Sequence, residues 1–279
     1  MLVSFSFYKL TKGECRNMAN IKFKHQGIQL MQEGLFEAPD SVTLDAEQHN
    51  ISEFNFDVPI TGTVYGALLN FKGAYQQYEG QLNDDPYKAP PKAPILYIKP
   101  INTYIGDGEA VPMPQSEETL SAGAALAVVI GKTATRLEKS NALDHVAGYT
   151  IVNDISIPHE SIYRPACKEK ARDGFCPIGP WITERDSVGD PNALKISVYV
   201  NGDLKAENDT SNLIRSVEEL LADVTEFMTL YEGDVLLVGV PEDMPLLKAG
   251  DTVKVEVEGI GVLENEVLDE NQVAGGKRK

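Results

Sequence analysis

The residues here that could bind an anionic ligand cluster in one place. Arg164, Lys168, Lys170 and Arg172 form the densest basic stretch away from the termini, in a chain whose formal charge is −17. The guanidinium forks of Arg164 and Arg172 each match a carboxylate with two parallel hydrogen bonds, which makes them candidate clamps for an acidic substrate. The competing reading is a solvated face, since KEKARD has the composition of an exposed charged loop. The global charge excludes a nucleic-acid partner, because neutralising phosphates takes clustered Lys and Arg over a broad surface. An acid ligand would need a local positive site to overcome the repelling field. His159, in IPHES, is a candidate base or a loop histidine facing solvent. Cys15, Cys167 and Cys176 are odd in number and form no CxxC pair, so neither a disulfide framework nor a zinc site is expected.

The elements that must carry these residues are strand-rich. ALAVVIGK (residues 125–132) is a continuous apolar run suited to a strand buried on both faces, and VAGYTIVND (146–154) is a second. ALKISVYVNGDLKAEN alternates about Asn201-Gly202, a type I′ hairpin signal, and VKVEVE alternates strictly. Val217, Leu220, Leu221, Val224 and Phe227 recur at helical spacing behind Ser216, with Glu219 at the capping-box position. Ser140 to Val146 has helix-forming composition. Ala67–Phe71 reads as a strand running into a mobile connection, GAYQQYEGQ. Pro86, Pro90, Pro91, Pro94 and Pro100 exclude a regular helix and predict a rigid loop framing a pocket.

With 279 residues the chain suits a small and a large unit. The expected organisation is a possible extension at 1–17, a small N-terminal subdomain at 18–66, a main domain at 67–270 and a flexible tail at 271–279. No apolar run approaches the roughly 18 residues of a membrane span, and residues 1–17 lack the pattern of a secretory signal. A cytoplasmic location, with no membrane partner, is the expectation.

Seven motifs occur in a telling order: GDGEAVPMP, LAVVIGK, AGYTIVNDIS, KARDGFCPIGPW, VNGD, LLADVTEFMTLYEGDVLLVG and KAGDTVKVEVEGIGVLEN. Together they resemble the fumarylacetoacetate hydrolase family over about residues 66–268. YRPACKEKARDGFCPIGPW is similar, within it, to the N-terminal half or separate N-terminal subunit of the bifunctional isomerase/decarboxylases of 4-hydroxyphenylacetate (homoprotocatechuate) degradation. The resemblance implies a mainly β fold with some α, a mixed β-sandwich roll. It also implies a homodimer or a hetero-oligomer with a paralogous subunit, and a divalent metal, usually Mg²⁺. The substrates implied are 5-carboxymethyl-2-oxo-hex-3-ene-1,6-dioate and 2-hydroxyhepta-2,4-diene-1,7-dioate, processed through a stabilised enolate.

The family's motifs assign Asp154 as a catalytic metal ligand and Lys170 as the active-site lysine, which burial would tune for proton transfer. Several positions depart from the pattern. Gly123 and Ala125 stand where the family has two metal-binding glutamates, with Glu117 and Glu118 upstream as substitute ligands or a solvated turn. Ala74 and Gln77 stand at the hydrolases' acid/base pair, and Val240 replaces a hydroxyl. These losses leave two alternatives to an active decarboxylase/isomerase: a catalytically silent partner of an active paralogue, or an enzyme for another 2-oxo acid.

Overall fold

The structure is a computed structural model that describes residues 18–159 and 166–275. The leading strands are β1 (Met18–His25), β2 (Gln32–Glu37), β3 (Ser41–Leu44), β4 (Glu47–Asn50) and β5 (Phe56–Asp57). Then come β6 (Val64–Leu68), β7 (Ile95–Lys99), β8 (Tyr104–Ile105), β9 (Val111–Met113) and β10 (Leu120–Ser121). The middle of the chain supplies β11 (Ala124–Ile130), β12 (Val146–Asn153), β13 (Cys176–Glu184), β14 (Lys195–Val200) and β15 (Asp203–Asp209). The last four are β16 (Val235–Leu237), β17 (Leu246–Leu247), β18 (Thr252–Val257) and β19 (Gly261–Asp269). Helices are α1 (Lys72–Glu79), α2 (Cys167–Lys170), α3 (Val217–Phe227) and α4 (Glu270–Gly275).

A twelve-stranded sheet runs β4-β3-β2-β1-β13-β12-β11-β16-β6-β7, with β5 beside β1 and β8 beside β13. A five-stranded sheet runs β15-β14-β18-β19-β9, and β10 pairs with β17. The mainly β expectation holds. β11 explains the layering, since all seven of its residues are buried. Leu126, Val128 and Ile130 join one apolar cluster with Val198, Val255 and Leu221, while Ala125, Ala127 and Val129 join another with Ile178, Val235 and Leu237. A strand sandwiched between two cores has no need to alternate.

The hairpin β14–β15 turns at Asn201 (φ 54°) and Gly202 (φ 85°), the positive pair a type I′ turn requires. Helix α3 opens on the capping box, with Glu219 N donating to Ser216 Oγ at 3.3 Å and Ser216 N to Glu219 Oε2 at 3.0 Å. Val217, Leu220, Leu221 and Val224 face the core.

Several expectations are corrected. GAYQQYEGQ is no mobile connection: residues 72–79 are helical, a helix missed because its buried anchor, Phe71, precedes it and no apolar stripe runs through it. The proline-rich segment ends in strand β7 rather than remaining a loop. Lys139–His145 is a 3₁₀ helix. Residues 271–275, expected to be loose, continue α4. The boundary at 66/67 falls inside β6, and β1 extends the main sheet by pairing Ile21 with Thr183 of β13. Residues 1–17 lie outside the described residues. Among those described, no helix is long and apolar enough to cross a membrane.

Candidate functional site

Asp154 follows directly on β12 and has no exposed side-chain surface. Its backbone N–H donates to Gly123 O at 2.8 Å, and Asn153 Oδ1 accepts from Gly123 N at 2.8 Å, so the two strand ends are stitched together. Three donors converge on the carboxylate. Lys170 Nζ, at the end of α2, lies 2.6 Å from Oδ2. Tyr97 donates its hydroxyl to the same oxygen at 2.5 Å. Lys99 Nζ lies 2.9 Å from Oδ1, an ion pair without hydrogen-bond alignment. The Lys99 ammonium also donates to the carbonyls of Lys170 (2.7 Å) and Ile155 (3.1 Å).

Tyr97 and Lys99 reach the site because they are two residues apart on β7 and therefore share a face, with Ile98 on the opposite, exposed side. Tyr97 pairs with Gly66 of β6, and its ring fills the space a side chain there would need: a Cβ on Gly66 would lie 2.1 Å from Tyr97 Cζ. The Lys170 ammonium sits 4.8 Å from the centroid of that ring.

Burial alone would push the Asp154 carboxyl up. The Lys170 and Lys99 ammoniums, with hydrogen bonds from Lys170 and Tyr97, outweigh it and hold the group well below the ordinary carboxylate range. Burial, reinforced by the Asp154 charge, pushes the Tyr97 phenol far up, so it remains a neutral donor. Burial likewise pushes the Cys176 thiol up to about 12, leaving it unreactive.

A cleft of about 390 Å³ opens over this cluster. Its floor includes Tyr97, Ser121, Gly123, Asp154, Ser156 and Lys170, and its rim includes Gln77, His159, Glu242 and Asp243. Lys170 is 13% exposed, so its ammonium is the cluster's outlet to the cleft. The rim is braced by Gln77 Nε2 donating to Asp243 Oδ1 at 3.0 Å and by Asn208 Nδ2 donating to Glu242 Oε1 at 3.1 Å.

The structure thus brings Asp154 and Lys170 together with Ala74, Gln77, Val240 and His159 in one cleft. Arg172 is elsewhere: it lines a separate cleft with Pro112, Phe175 and Glu270. Helix α2 ends at Lys170, and a turn closed by Phe175 N on Arg172 O follows, so Arg172 does not share the cleft of Lys170. Arg164 lies outside the described residues. Glu117 and Glu118 do not line the cleft; Glu117 accepts from Ser116 Oγ at 3.1 Å. Sequence reasoning missed Lys99 and Tyr97. The available signal was ILYIKP itself, in which a tyrosine and a lysine at i and i+2 interrupt an apolar run.

Residues 63–268 match the family described as Fumarylacetoacetate (FAA) hydrolase C-terminal, and the chain belongs to it. A 4-hydroxyphenylacetate degradation bifunctional isomerase/decarboxylase of Escherichia coli is 42% identical over 216 residues, 77% of this chain and 49% of that protein. The chain therefore spans about half the length of that relative. The crystal structure of a 5-carboxymethyl-2-hydroxymuconate delta-isomerase from Mycobacterium smegmatis superposes with TM-score 0.74 at 26% identity, covering 90% of this chain and 98% of that one. A maleylpyruvate hydrolase from Sphingobium sp. SYK-6, solved with manganese (II) ion and pyruvate, shares the fold with TM-score 0.72 at 20% identity, covering 89% and 99% of the two chains.

The expected divalent cation does not fit the described residues. Mg²⁺ takes six oxygen ligands, keeping several waters among them and needing one or two carboxylates free to face it. Among the described residues no three His, Cys, Asp or Glu side chains gather to hold a metal. Ala125 is buried in an apolar cluster with Val152 and Ile178, and a Cβ on Gly123 would lie 2.2 Å from Asp154 O. Oδ1 of Asp154 lacks an aligned donor, yet it has no exposed surface and faces Lys99. A dication there would join two ammoniums with one carboxylate between them. Like unit charges 4 Å apart repel by about 4 kcal/mol at a near-surface dielectric, and a dication doubles that against each ammonium.

Proposed function

We propose that the cleft binds a 2-oxo acid and stabilises its enolate, making the chain a decarboxylase/isomerase of the kind its relative's name describes. The substrates we propose are 5-carboxymethyl-2-oxo-hex-3-ene-1,6-dioate and, after loss of CO₂, 2-hydroxyhepta-2,4-diene-1,7-dioate. The observation that carries the reading is the Lys170 ammonium, fixed on buried Asp154 and open to the cleft. When the C–C bond to the departing carboxylate breaks, its electron pair moves onto the 2-oxo oxygen. An ammonium held against that oxygen stabilises the developing charge without reorganising. Double-bond isomerisation then requires a proton to leave one carbon and another to reach a second; His159, half-buried in the same cleft, is our candidate carrier. Hydrolytic C–C cleavage is disfavoured, because Ala74 and Gln77 provide no acid/base pair. We place the enzyme in the cytoplasm as a homodimer or with a paralogous subunit; Ile98 and Ile101, 57% and 83% exposed along the β7 edge, suit such an interface.

The test is turnover of the tricarboxylate substrate by purified chain, followed by loss of its absorbance. Lys170→Met should slow it by about 10²–10³-fold, the range for removing one oxyanion donor. The second reading, a silent partner subunit, is favoured because, among the described residues, no three metal-ligating side chains gather around Asp154. It gains if the homogeneous chain is inactive while a paralogous partner alone has full activity.

A further inference from the structure

Resting on the oxo-acid reading, we infer that this site takes the oxo-acid head without a divalent cation, on the Lys170 ammonium and the hydroxyls of Ser121 and Ser156, with Asp154 serving as the anchor of that ammonium.

Asp154 is committed before any ligand arrives. Lys170 and Tyr97 share Oδ2, and Lys99 covers Oδ1. A metal ion would have to displace an ammonium that is itself locked, since Lys99 also holds the carbonyls of Ile155 and Lys170. Exchanging those contacts for a cation would leave Lys99 buried without its counter-charge. The same arrangement leaves Lys170 with capacity to spare. One of its protons goes to Asp154, one side of the ammonium faces the Tyr97 ring, and the cleft borders the rest.

The two serines complete an acceptor-binding floor. Ser121 and Ser156 face each other across an antiparallel bridge, with Ser121 N donating to Ser156 O at 2.8 Å and Ser156 N to Ser121 O at 3.1 Å. Both line the cleft beside Lys170. Among the described residues Ser121 Oγ makes a single long contact, 3.4 Å, to Ala122 O, and Ser156 Oγ makes no hydrogen bond. An ammonium flanked by two rotatable hydroxyls suits a chelating carboxylate and oxo pair, each oxygen taking a proton from a different donor. Lys170, anchored by Asp154, therefore acts as a preformed electrophile in place of a metal cage.

The test uses oxalate, which carries the chelating oxygens of the enolate, and Mn²⁺, which reports metal binding by electron paramagnetic resonance. Chain stripped with EDTA is titrated with oxalate calorimetrically, with and without excess Mg²⁺. The expected affinities agree within twofold, Lys170→Met weakens oxalate at least tenfold, and Ser156→Ala weakens it severalfold. Lys170→Arg, which keeps the charge and the pair to Asp154, should retain most of the binding, and the melting curves of the variants separate lost binding from lost folding. Oxalate binding at least tenfold tighter with Mg²⁺, or a Mn²⁺ signal abolished by Asp154→Asn, overturns the metal-free site while leaving the oxo-acid reading standing. Failure of oxalate to bind folded chain under either condition overturns both.

Discussion

A lysine with no exposed side-chain surface must have its charge cancelled at contact distance, and Asp154 does this for Lys99. Replacing Lys99 with Met would strip the two carbonyls of their donor and leave Asp154 Oδ1 facing no cation. Breaking a buried pair by removing one partner costs roughly 3–5 kcal/mol, so urea unfolding of Lys99→Met should report a loss of that size. The pH dependence follows from the depressed Asp154 carboxyl. Its unfolded value is near 3.9. A carboxyl lowered on folding contributes stability that is complete above the unfolded value and fades as pH falls through the folded one. The stability gap between wild type and Asp154→Asn should therefore be flat from about pH 8 to about pH 5 and shrink below roughly pH 4. A gap that closed toward alkaline pH instead would contradict the assignment.

At the scale of elements, the site depends on how closely β6 and β7 approach. Tyr97 lies where Gly66 has no side chain, so Gly66→Ala forces the ring away from Asp154 or the strands apart. Overpacking of this kind costs about 1–3 kcal/mol. Gly80→Ala, at the end of α1 with nothing within 4 Å of the added carbon, should change stability by less than about 0.5 kcal/mol. Thermal melts of the two variants make the comparison, and equal effects would argue against the close approach. Helix α3 and the β14–β15 hairpin were legible because local chemistry specifies them, through a capping box and an Asn-Gly turn. Strand β7 was not, because the prolines before it suggested a loop and only its pairing with β6 makes it a strand.

Across the whole molecule, a net charge of −17 opposes the approach of a dianion, while the positive pole lies at the floor of a cleft with Glu242 and Asp243 on its rim. Salt screens long-range repulsion more than contact inside a cleft, with a Debye length near 10 Å at about 0.1 M. Stopped-flow association of oxalate should therefore speed up between about 20 and 150 mM NaCl. A rate that fell steeply with salt would mean that local attraction, not the global field, controls encounter. The twelve-stranded sheet is also a property at this scale, since β1 to β4 join it only through the pairing of β1 with β13, far apart in sequence.

The sequence by itself determined the family and the strand-rich architecture and singled out Asp154 and Lys170 as a candidate pair, because runs of apolar residues, turn pairs and ordered motifs are local properties. It also exposed the loss at Gly123 and Ala125. The tertiary structure alone decided what surrounds Asp154. Lys99 and Tyr97 lie more than fifty residues before Asp154 and reach it only through the curvature of a sheet whose edge strand faces the site. Arg172 stands two residues from Lys170, yet the end of a four-residue helix sends it to another cleft. Neighbours in sequence part at a turn and distant residues meet across a sheet, since side-chain direction is set by backbone geometry that no local pattern records.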